Sequence, residues 1–543
     1  MAIPVFVTPS CNAKRVKKRG NQWSFDSRDL MRAKCSHCIR VATARELGVS
    51  GLKELIDEFY VRPDNLAIRY GMRFEEALEQ ELLANLGEKV KMPQERTLDA
   101  TLELMNEGVP VIYQGVLQGG SGSMSFSGRP DFLLRSDYRF EFGSSGLSAK
   151  QVDGWSGGYT AWDAKLSSTP KPEYQVQVGL YADVLRELGY AADQNHGLIL
   201  GSRELAAFAA EPLIAQMVHD RNAYLKKVFS FIDEDPQRVE DIGELICDAS
   251  SYCDICEYPE LCEYSRREVN HLQLVAGITR PQIESLHRSG IKTVSQLALR
   301  EDATDKLSAE QVQKLSRQAR LQQHTYDTGE HVVEIISHSE LANLPPETEG
   351  DIFFDLEGFT FFDEPGGLEY LFGYTSIEDG EQFHADWADT REEEKEVFEK
   401  FMHDLMNRLQ AYPDAKVYHY ANYEQAALKK LSERHGSYQH EVTELIDKGV
   451  FVDLYKIVKA SIMISQESYS IKKLENYYSF DRASDVKEAM GSMEYYDQYL
   501  DALAKNKTLA ENLKRQVIAY NQDDCASTLA LTRWLRSLVN RDV

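Results

Sequence analysis

Three short stretches decide how the first half of this chain folds: Ser127-Gly-Arg-Pro-Asp131, Trp162-Asp-Ala-Lys165 and Gln177-Val-Gly-Leu-Tyr181. The first places an acidic residue beside an apolar strand. In the second, Asp163 and Lys165 are two apart on a predicted strand, so their side chains share one face. In the third, Gln177 and Tyr181 are four apart on a predicted helix and also share a face. The three stretches together predict that acidic, basic and amide side chains converge.

This combination of side chains is what metal-dependent cleavage of a phosphodiester requires. Asp131 and Asp163 would hold Mg²⁺ or Mn²⁺ through oxygen, and the metal would lower the pKa of a bound water. Lys165 would position that water and stabilise negative charge on the phosphate. Gln177 and Tyr181 would orient the nucleic acid, although packing in the core is an alternative for both.

A further oxygen ligand is predicted upstream, in a strongly helical run. Glu75 is our choice, and its neighbour Glu76 is the alternative because the pattern does not decide which one faces inward.

The cysteines indicate a second kind of metal site. Eight cysteines in 543 residues without a secretory signal predict a reducing, cytoplasmic location, and no apolar stretch approaches the roughly 20 residues of a membrane span. Cys253, Cys256 and Cys262 place three thiolates in one loop, and a fourth could come from Cys35 or Cys38. Four thiolates suit a [4Fe-4S] cluster or zinc, and we favour the cluster.

The predicted ligand sets resemble those of the PD-(D/E)XK nucleases of the RecB and AddB type that carry an iron–sulfur cluster, including the CRISPR-adaptation nucleases. The resemblance implies a restriction-endonuclease-like α/β domain that cleaves DNA, with a cluster that holds the fold together. Its cluster ligands would be Cys35, Cys253, Cys256 and Cys262. This chain departs from the pattern in two ways: Glu75 stands where many relatives have histidine, and Cys38 competes with Cys35.

A second set of acids lies near the C-terminus. Asp355 and Glu357 end an apolar strand and project from the same face, ready to share a metal. Glu424 begins a predicted helix, and Tyr520 and Asp524 are four apart on a later helix.

This order of acids resembles the DEDDy exonucleases of the RNase H-like fold, over residues 345–543. The resemblance implies that Asp355, Glu357, Glu424 and Asp524 bind two metals while Tyr520 orients the attacking water. Asp453 is an alternative to Glu424, and an inactive domain that only binds nucleic acid is an alternative to the enzyme.

The chain is too long for one core, and we predict three regions. Residues 1–267 would form the PD-(D/E)XK domain, residues 268–340 a small all-α connector, and residues 341–543 the RNase H-like domain. The connector resembles helix-hairpin-helix modules, in which glycine turns expose backbone N–H groups to phosphate. The whole arrangement resembles a bacterial family of RecB-like nucleases with a fused RNase H-like domain.

The net charge argues against simple binding of a polyanion. A formal charge of −26 repels nucleic acid, so binding requires a local basic patch, for which Lys14 to Arg19 with Arg129 and Lys165 are candidates. A helicase partner that delivers the strand would relieve the problem. DNA is favoured over RNA as the substrate, and two alternatives remain: a catalytically silent binding subunit of a helicase or defence complex, and an RNA exonuclease.

Overall fold

The computed structural model describes residues 17–19, 22–59, 66–120, 123–152, 154–155, 157–242, 252–253, 256–304, 306–362, 366–484 and 489–539. The side chains of the predicted basic patch, Lys14 to Arg19, lie outside the described part, as do Cys11 and Cys247.

The chain is a mixed α/β protein that divides into two compact units, Met1–Ser265 and Arg266–Val543. In the part of the chain that the structure describes, every helix is too short or too polar to cross a membrane.

The first unit combines several short strands with helices of up to 24 residues. Its strands are β1 (Lys17–Arg19), β2 (Gln22–Asp26), β3 (Val90–Lys91), β4 (Val111–Tyr113), β5 (Leu117–Gly119), β6 (Met124–Gly128), β7 (Phe132–Arg135), β8 (Tyr138–Gly143), β9 (Gly146–Gln151), β10 (Tyr159–Lys165), β11 (His196–Leu200) and β12 (Leu205–Phe208). Its helices are α1 (Ser27–Met31), α2 (Ser36–Leu47), α3 (Leu52–Phe59), α4 (Leu66–Leu86), α5 (Leu98–Asn106), α6 (Pro172–Glu187) and α7 (Ala210–Asp233), and α8 (Pro259–Glu268) contains the division between the units.

The main sheet of the first unit has the strand order β12-β11-β10-β7-β4-β3, with β10 parallel to β11 and antiparallel to β7. Both faces of β10 are covered. Tyr159 and Ala161 pack with Leu180 of α6 on one side, and Trp162 packs with Leu78 of α4 on the other. Because alternate residues of a strand face the same way, Asp163 lies on the α6 side, like Ala161.

A buried histidine supports the centre of this sheet. His196 Nδ1 accepts a hydrogen bond of 2.9 Å from the Ala161 backbone N–H, so the ring must be neutral at that nitrogen. The side chain is 2% exposed, and burial lowers its pKa to about 4.

We predict that this histidine makes the first unit sensitive to acid. Its pKa is near 6.5 in the unfolded chain and about 4 in the folded one, so the stabilisation is complete above pH 6.5 and is lost as the pH falls through 4. The free energy of unfolding should fall by about 3 kcal/mol more in the wild type than in His196→Asn over this interval. Urea unfolding at pH 7 and pH 4 measures the difference. The exposed His219→Asn is the control, and equal pH dependence in all three proteins would contradict the assignment.

The second unit begins with helices and continues into a second mixed sheet. Its strands are β13 (Val333–Ile335), β14 (Ile352–Phe359), β15 (Leu368–Ser376), β16 (Gln382–Trp387), β17 (Val417–His419), β18 (Phe451–Asp453) and β19 (Ile462–Ile464). Its helices are α9 (Arg280–Arg288), α10 (Val294–Ala298), α11 (Ala309–Thr328), α12 (His338–Leu341), α13 (Arg391–Ala411), α14 (Tyr423–His435), α15 (Gln439–Asp447), α16 (Leu454–Ser461), α17 (Ile471–Tyr478), α18 (Ala489–Leu503) and α19 (Lys507–Val539).

The main sheet of this unit has the order β16-β15-β14-β17-β18. Strand β14 is antiparallel to β15 and parallel to β17. It therefore connects the antiparallel strands β15 and β16 to the parallel strands β17 and β18. Phe354 faces a core formed with α13 and α14, and Phe353 faces a core that includes Leu529 of α19. Asp355 and Glu357 have the parity of Phe353, and they therefore lie on the α19 side of the sheet.

The helices predicted to form the connector build an apolar core of their own around Leu286, Val294 and Val312. They also join the later elements, because β13 pairs with β19 and Gln318 of α11 donates to the Ile464 carbonyl at 2.8 Å. Contacts therefore group this helical region with the C-terminal elements in one compact unit.

Candidate functional site

Three carboxylates converge where β14 meets α19. Asp355, Glu357 and Asp524 each offer an oxygen, and the three oxygens lie within 4.8 Å of one another. Two of the acids share a strand face and the third comes from a helix that packs across that face, so the fold brings together residues that are far apart in the chain. Oxygen atoms at this spacing suit Mg²⁺ or Mn²⁺.

The acids raise one another's pKa in the absence of a cation. For Asp355, burial and then the charges of Asp524 and Glu357 raise the pKa well above its usual value. Burial and the charge of Asp524 raise the pKa of Glu357 to about 8, although Ser492 donates a hydrogen bond of 2.8 Å to it. Holding like charges this close together costs free energy, and a bound cation would offset that cost.

An asparagine positions the first of these acids. Asn521 is fully buried, and its Nδ2 donates to Asp355 Oδ2 at 2.7 Å. The helix that carries Asn521 lies close to β15: a Cβ atom at Gly373 would stand 1.6 Å from Asn521 Oδ1. Gly373 is therefore required for space, since any side chain there would displace Asn521 from Asp355.

Basic side chains lie near Asp524, the third acid of the cluster. Arg482 donates to Asp524 Oδ1 at 2.7 Å and to both oxygens of Glu475. Lys472 lies 5.0 Å from the centre of the Tyr520 ring. Burial raises the pKa of Asp524, while Arg482, Lys472 and a hydrogen bond from Tyr520 oppose that rise. Tyr520 thus faces Asp524, one helical turn away.

The fourth predicted acid, Glu424, lies outside this group of three, but its charge contributes to the raised pKa of Asp355. Glu424 is 3% exposed, and its Oε2 lies 3.2 Å from His419 Nδ1. Gln425 Nε2 donates to the other ring nitrogen at 2.9 Å, which leaves the Nδ1 proton for Glu424. Asp453 accepts from the backbone N–H groups of Ala421 and Tyr455, so it caps α16.

The comparisons with known proteins concern this unit. A family model described as RNase_H superfamily matches residues 352–536, which contain all the acids just described and Tyr520. Residues 352–536 therefore form an RNase H-like domain, of the kind found in nucleases. No match was found among the curated proteins or the solved structures.

The first unit holds a second, smaller group of acids. Asp131 directly precedes β7, and its Oδ2 accepts from the Ala164 N–H at 2.7 Å. Its own N–H donates to Asp163 Oδ1 at 3.2 Å, and Asp163 Oδ2 pairs with Lys165 Nζ at 2.8 Å. Desolvation and the charges of Asp163 and Glu75 raise the pKa of Asp131 well above its usual value. Burial lowers the pKa of Lys165, but Asp163 and Asp131 more than offset this, so the pKa is raised.

The structure distinguishes Glu75 from Glu76. Glu75 accepts a hydrogen bond from Gln114, whose backbone N–H donates to the Asp131 carbonyl at 2.8 Å, whereas Glu76 is exposed. Gln114 has a φ of 57°, a left-handed backbone conformation that residues other than glycine rarely adopt. Sequence reasoning did not identify Gln114, because no local pattern marks it.

Gln177 and Tyr181 are joined as their spacing predicts. Gln177 Nε2 donates to the Tyr181 hydroxyl at 2.8 Å, and that hydroxyl lies 3.4 Å from the Arg129 carbonyl. The Tyr181 ring itself is 1% exposed and belongs to the core, and a Cβ atom on Gly128 would stand 2.2 Å from it. Tyr181 therefore both packs in the core and contacts the Ser127–Asp131 loop.

The cysteines of the first unit gather around the start of α2. Cys38 Sγ lies 3.2 Å from Cys256 Sγ, and Cys35 Sγ accepts from the Cys38 N–H at 3.5 Å. The hydrogen bond from Cys38 lowers the pKa of Cys256, and the charges of Cys262 and Cys35 act on the same thiol. Among the described residues, no three of these sulfurs lie within 4.8 Å of one another.

We predict that Mn²⁺ binds the Asp355–Glu357–Asp524 cluster and stabilises the second unit. A ligand at about 100 times its Kd adds about 2.7 kcal/mol to the free energy of unfolding. Asp355→Asn should abolish the Mn²⁺-induced rise in the unfolding temperature. In EDTA at a pH above 8, where Glu357 is ionised, the same variant should unfold at a higher temperature than the wild type, because one of the repelling charges is gone.

Differential scanning calorimetry with and without Mn²⁺ measures both effects. The exposed Asp379→Asn is the control. An equal Mn²⁺ shift in both variants would show that the ion binds elsewhere.

Proposed function

We propose that the protein is a divalent-metal-dependent nuclease that hydrolyses phosphodiester bonds in nucleic acid, with one active site in its RNase H-like domain. The convergence of Asp355, Glu357 and Asp524 carries this proposal, because a buried cluster of like charges is costly without a cation. The family match over residues 352–536 supports the same class of enzyme.

The residues of this chain would divide the work as follows. When bound, Mg²⁺ or Mn²⁺ would activate a water and stabilise the leaving oxygen. Asp355, Glu357 and Asp524 would supply the oxygen ligands, and Asn521 would fix the orientation of Asp355 through its 2.7 Å hydrogen bond. Tyr520 would orient the attacking water beside Asp524. Glu424, held by His419, remains a predicted fourth ligand.

We further propose a PD-(D/E)XK active site in the first unit. Asp131 and Asp163 would bind a metal with help from Glu75, while Lys165, 2.8 Å from Asp163, would position water and stabilise charge on the phosphate. Gln177 and Tyr181 would orient the strand. The linked hydrogen bonds from Ala164 to Asp131 and from Asp131 to Asp163 support a shared site for the two acids.

We also propose that the clustered cysteines hold a [4Fe-4S] cluster that fastens the ends of the first unit together. Thiolates on one tetrahedral zinc ion lie about 3.8 Å apart, given Zn–S bonds of about 2.3 Å. Cys38 Sγ and Cys256 Sγ lie 3.2 Å apart, closer than this spacing, so the preference for the cluster over zinc rests on the resemblance to the iron–sulfur nucleases. Cys253, Cys256 and Cys262 would be ligands, with the fourth supplied by Cys35 or Cys38.

DNA is the favoured substrate, and exonucleolytic cleavage is the favoured mode, on the strength of the two resemblances. Because the chain has a net charge of −26, delivery of the strand by a partner such as a helicase would assist binding.

A catalytically silent binding subunit is the second candidate function. Arg482 favours this alternative, because its guanidinium pairs with Asp524 at 2.7 Å and occupies part of the coordination capacity of that carboxylate.

We predict that two separate activities can be removed one at a time. Asp355→Asn should lower one activity by about 100-fold or more, because Lewis-acid stabilisation by a metal is worth several kcal/mol. Lys165→Ala should remove a different one. End-labelled single-stranded and double-stranded DNA and RNA, incubated with Mn²⁺ or Mg²⁺, provide the measurement. Asp379→Asn and Lys150→Ala, both exposed, are the matched controls. Undiminished cleavage by the double variant Asp355→Asn/Lys165→Ala would rule out both sites.

We predict a brown protein with broad visible absorption after anaerobic purification. Cys256→Ser should lose iron and colour, because Cys256 lies at the centre of the sulfur contacts. Cys525→Ser, in the other unit, should keep them. Separate Cys35→Ser and Cys38→Ser variants identify the fourth ligand by iron content. A colourless protein with stoichiometric zinc would instead establish a zinc site.

A further inference from the structure

A cationic pocket lies in the second unit, apart from the acid cluster. It has a volume of about 620 Å³ and is lined by Gly366, Arg391, Lys430, Glu433, Arg434 and His435. We call it the Glu394 pocket, after the buried carboxylate that holds its walls. Its basic side chains come from the start of α13 and the last turns of α14.

One buried acid organises these cations. Glu394 is 0% exposed and accepts hydrogen bonds from Arg434 at 2.8 and 3.0 Å, from His435 at 2.8 Å and from Arg391 at 3.2 Å. Arg434 also donates to the Gly366 carbonyl at 2.8 Å, which fixes the plane of its guanidinium. Arg391, Lys430 and Arg434 carry three formal positive charges against the two negative charges of Glu433 in the lining and Glu394 behind it, so the pocket keeps a surplus of one positive charge.

Lys430 adds a cation that this network does not use. It precedes Arg434 by four residues on α14, so the two side chains lie on one helix face. Its side chain is exposed and lines the pocket, and its charge acts on the nearby Glu369 carboxylate. Lys430 is therefore not needed to hold the walls of the pocket together, and its ammonium group is available to a ligand.

The pocket is linked to the acid cluster through the β14–β15 pair. The Glu369 N–H donates to Glu394 at 2.7 Å, and Glu369 pairs across the strands with Gly358, the residue after Glu357. The Glu369 carboxylate accepts from Tyr423 at 2.8 Å, and Tyr423 directly precedes Glu424. The network behind the pocket therefore reaches β14 at Gly358, next to the predicted ligand Glu357.

We propose that the Glu394 pocket binds a backbone phosphate of the nucleic-acid strand whose scissile bond lies at Asp355, Glu357 and Asp524. This inference rests on the proposed function of that site. Arginine forks match phosphate oxygens in a bidentate manner, and a lysine adds a mobile charge. A local positive pocket also explains how a chain with a net charge of −26 holds a polyanion next to its acids.

The test compares two neighbouring lysines in a protein that cannot cut. In an Asp355→Asn/Lys165→Ala background, Lys430→Ala should raise the Kd for a fluorescein-labelled single-stranded oligonucleotide by about 3-fold to 10-fold. It should also reduce the slope of log Kd against log[NaCl] by about 0.7, as expected for one lost phosphate contact. Lys429→Ala, one position earlier on α14 and also exposed, should change neither.

Arg391→Gln tests the second cation of the pocket and should weaken binding in the same direction. In the cleaving protein, Lys430→Ala should raise KM with little change in kcat, because the contact positions the strand without touching the reacting phosphate. A calorimetric titration with inorganic phosphate separates a strand site from a site for free phosphate. Tight phosphate binding that depends on Lys430, with unchanged oligonucleotide binding, would overturn the proposal.

Failure of this inference can be told apart from failure of the proposed function. Equal Kd values and equal salt slopes for Lys430→Ala and Lys429→Ala, in a protein that does bind the oligonucleotide, would refute the pocket and leave the active site standing. Absence of both binding and cleavage in the wild type would refute the two together.

Discussion

Mutual repulsion among Asp355, Glu357 and Asp524 is the constraint on which the second unit depends. Their oxygens lie within 4.8 Å of one another in partly desolvated surroundings, which raises the pKa of Glu357 to about 8. Around them the fold supplies hydrogen bonds from Asn521 and Ser492 and the guanidinium of Arg482. These partners reduce the repulsion without removing it, and the apolar packing of α19 against Phe353 of β14 holds the acids together.

Sequence patterns predicted the parts of this site that depend on local periodicity. Asp355 and Glu357 share a strand face because they are two apart, and Tyr520 faces Asp524 because they are four apart. The pattern could not place Glu424, since the position of that side chain is decided by His419, which reaches it from the preceding strand. Asn521 and Arg482 also went unnoticed, because their roles depend on which segments meet in space.

In the first unit, too, local spacing predicted some contacts, whereas others depend on segments that are distant in the chain. The spacing of Asp163 and Lys165 predicted their contact, and the Gln177–Tyr181 pair followed from helix geometry. The choice between Glu75 and Glu76 was open in the sequence, and it depends on Gln114, whose left-handed backbone turns its amide toward Glu75. Five cysteines fall in this unit's cluster region, so local spacing leaves more thiols than a four-ligand cluster requires.

Gly373 has a consequence for how this domain changes over evolutionary time. A methyl group at this position would overlap the Asn521 amide, at 1.6 Å from its oxygen, and would force that amide away from Asp355. A lineage that depends on the hydrogen bond from Asn521 to Asp355 is therefore expected to retain glycine here. A lineage in which the domain has become a passive scaffold is free to acquire alanine or serine. Replacement of this glycine would therefore mark a descendant in which the hydrogen bond from Asn521 to Asp355 is no longer under selection.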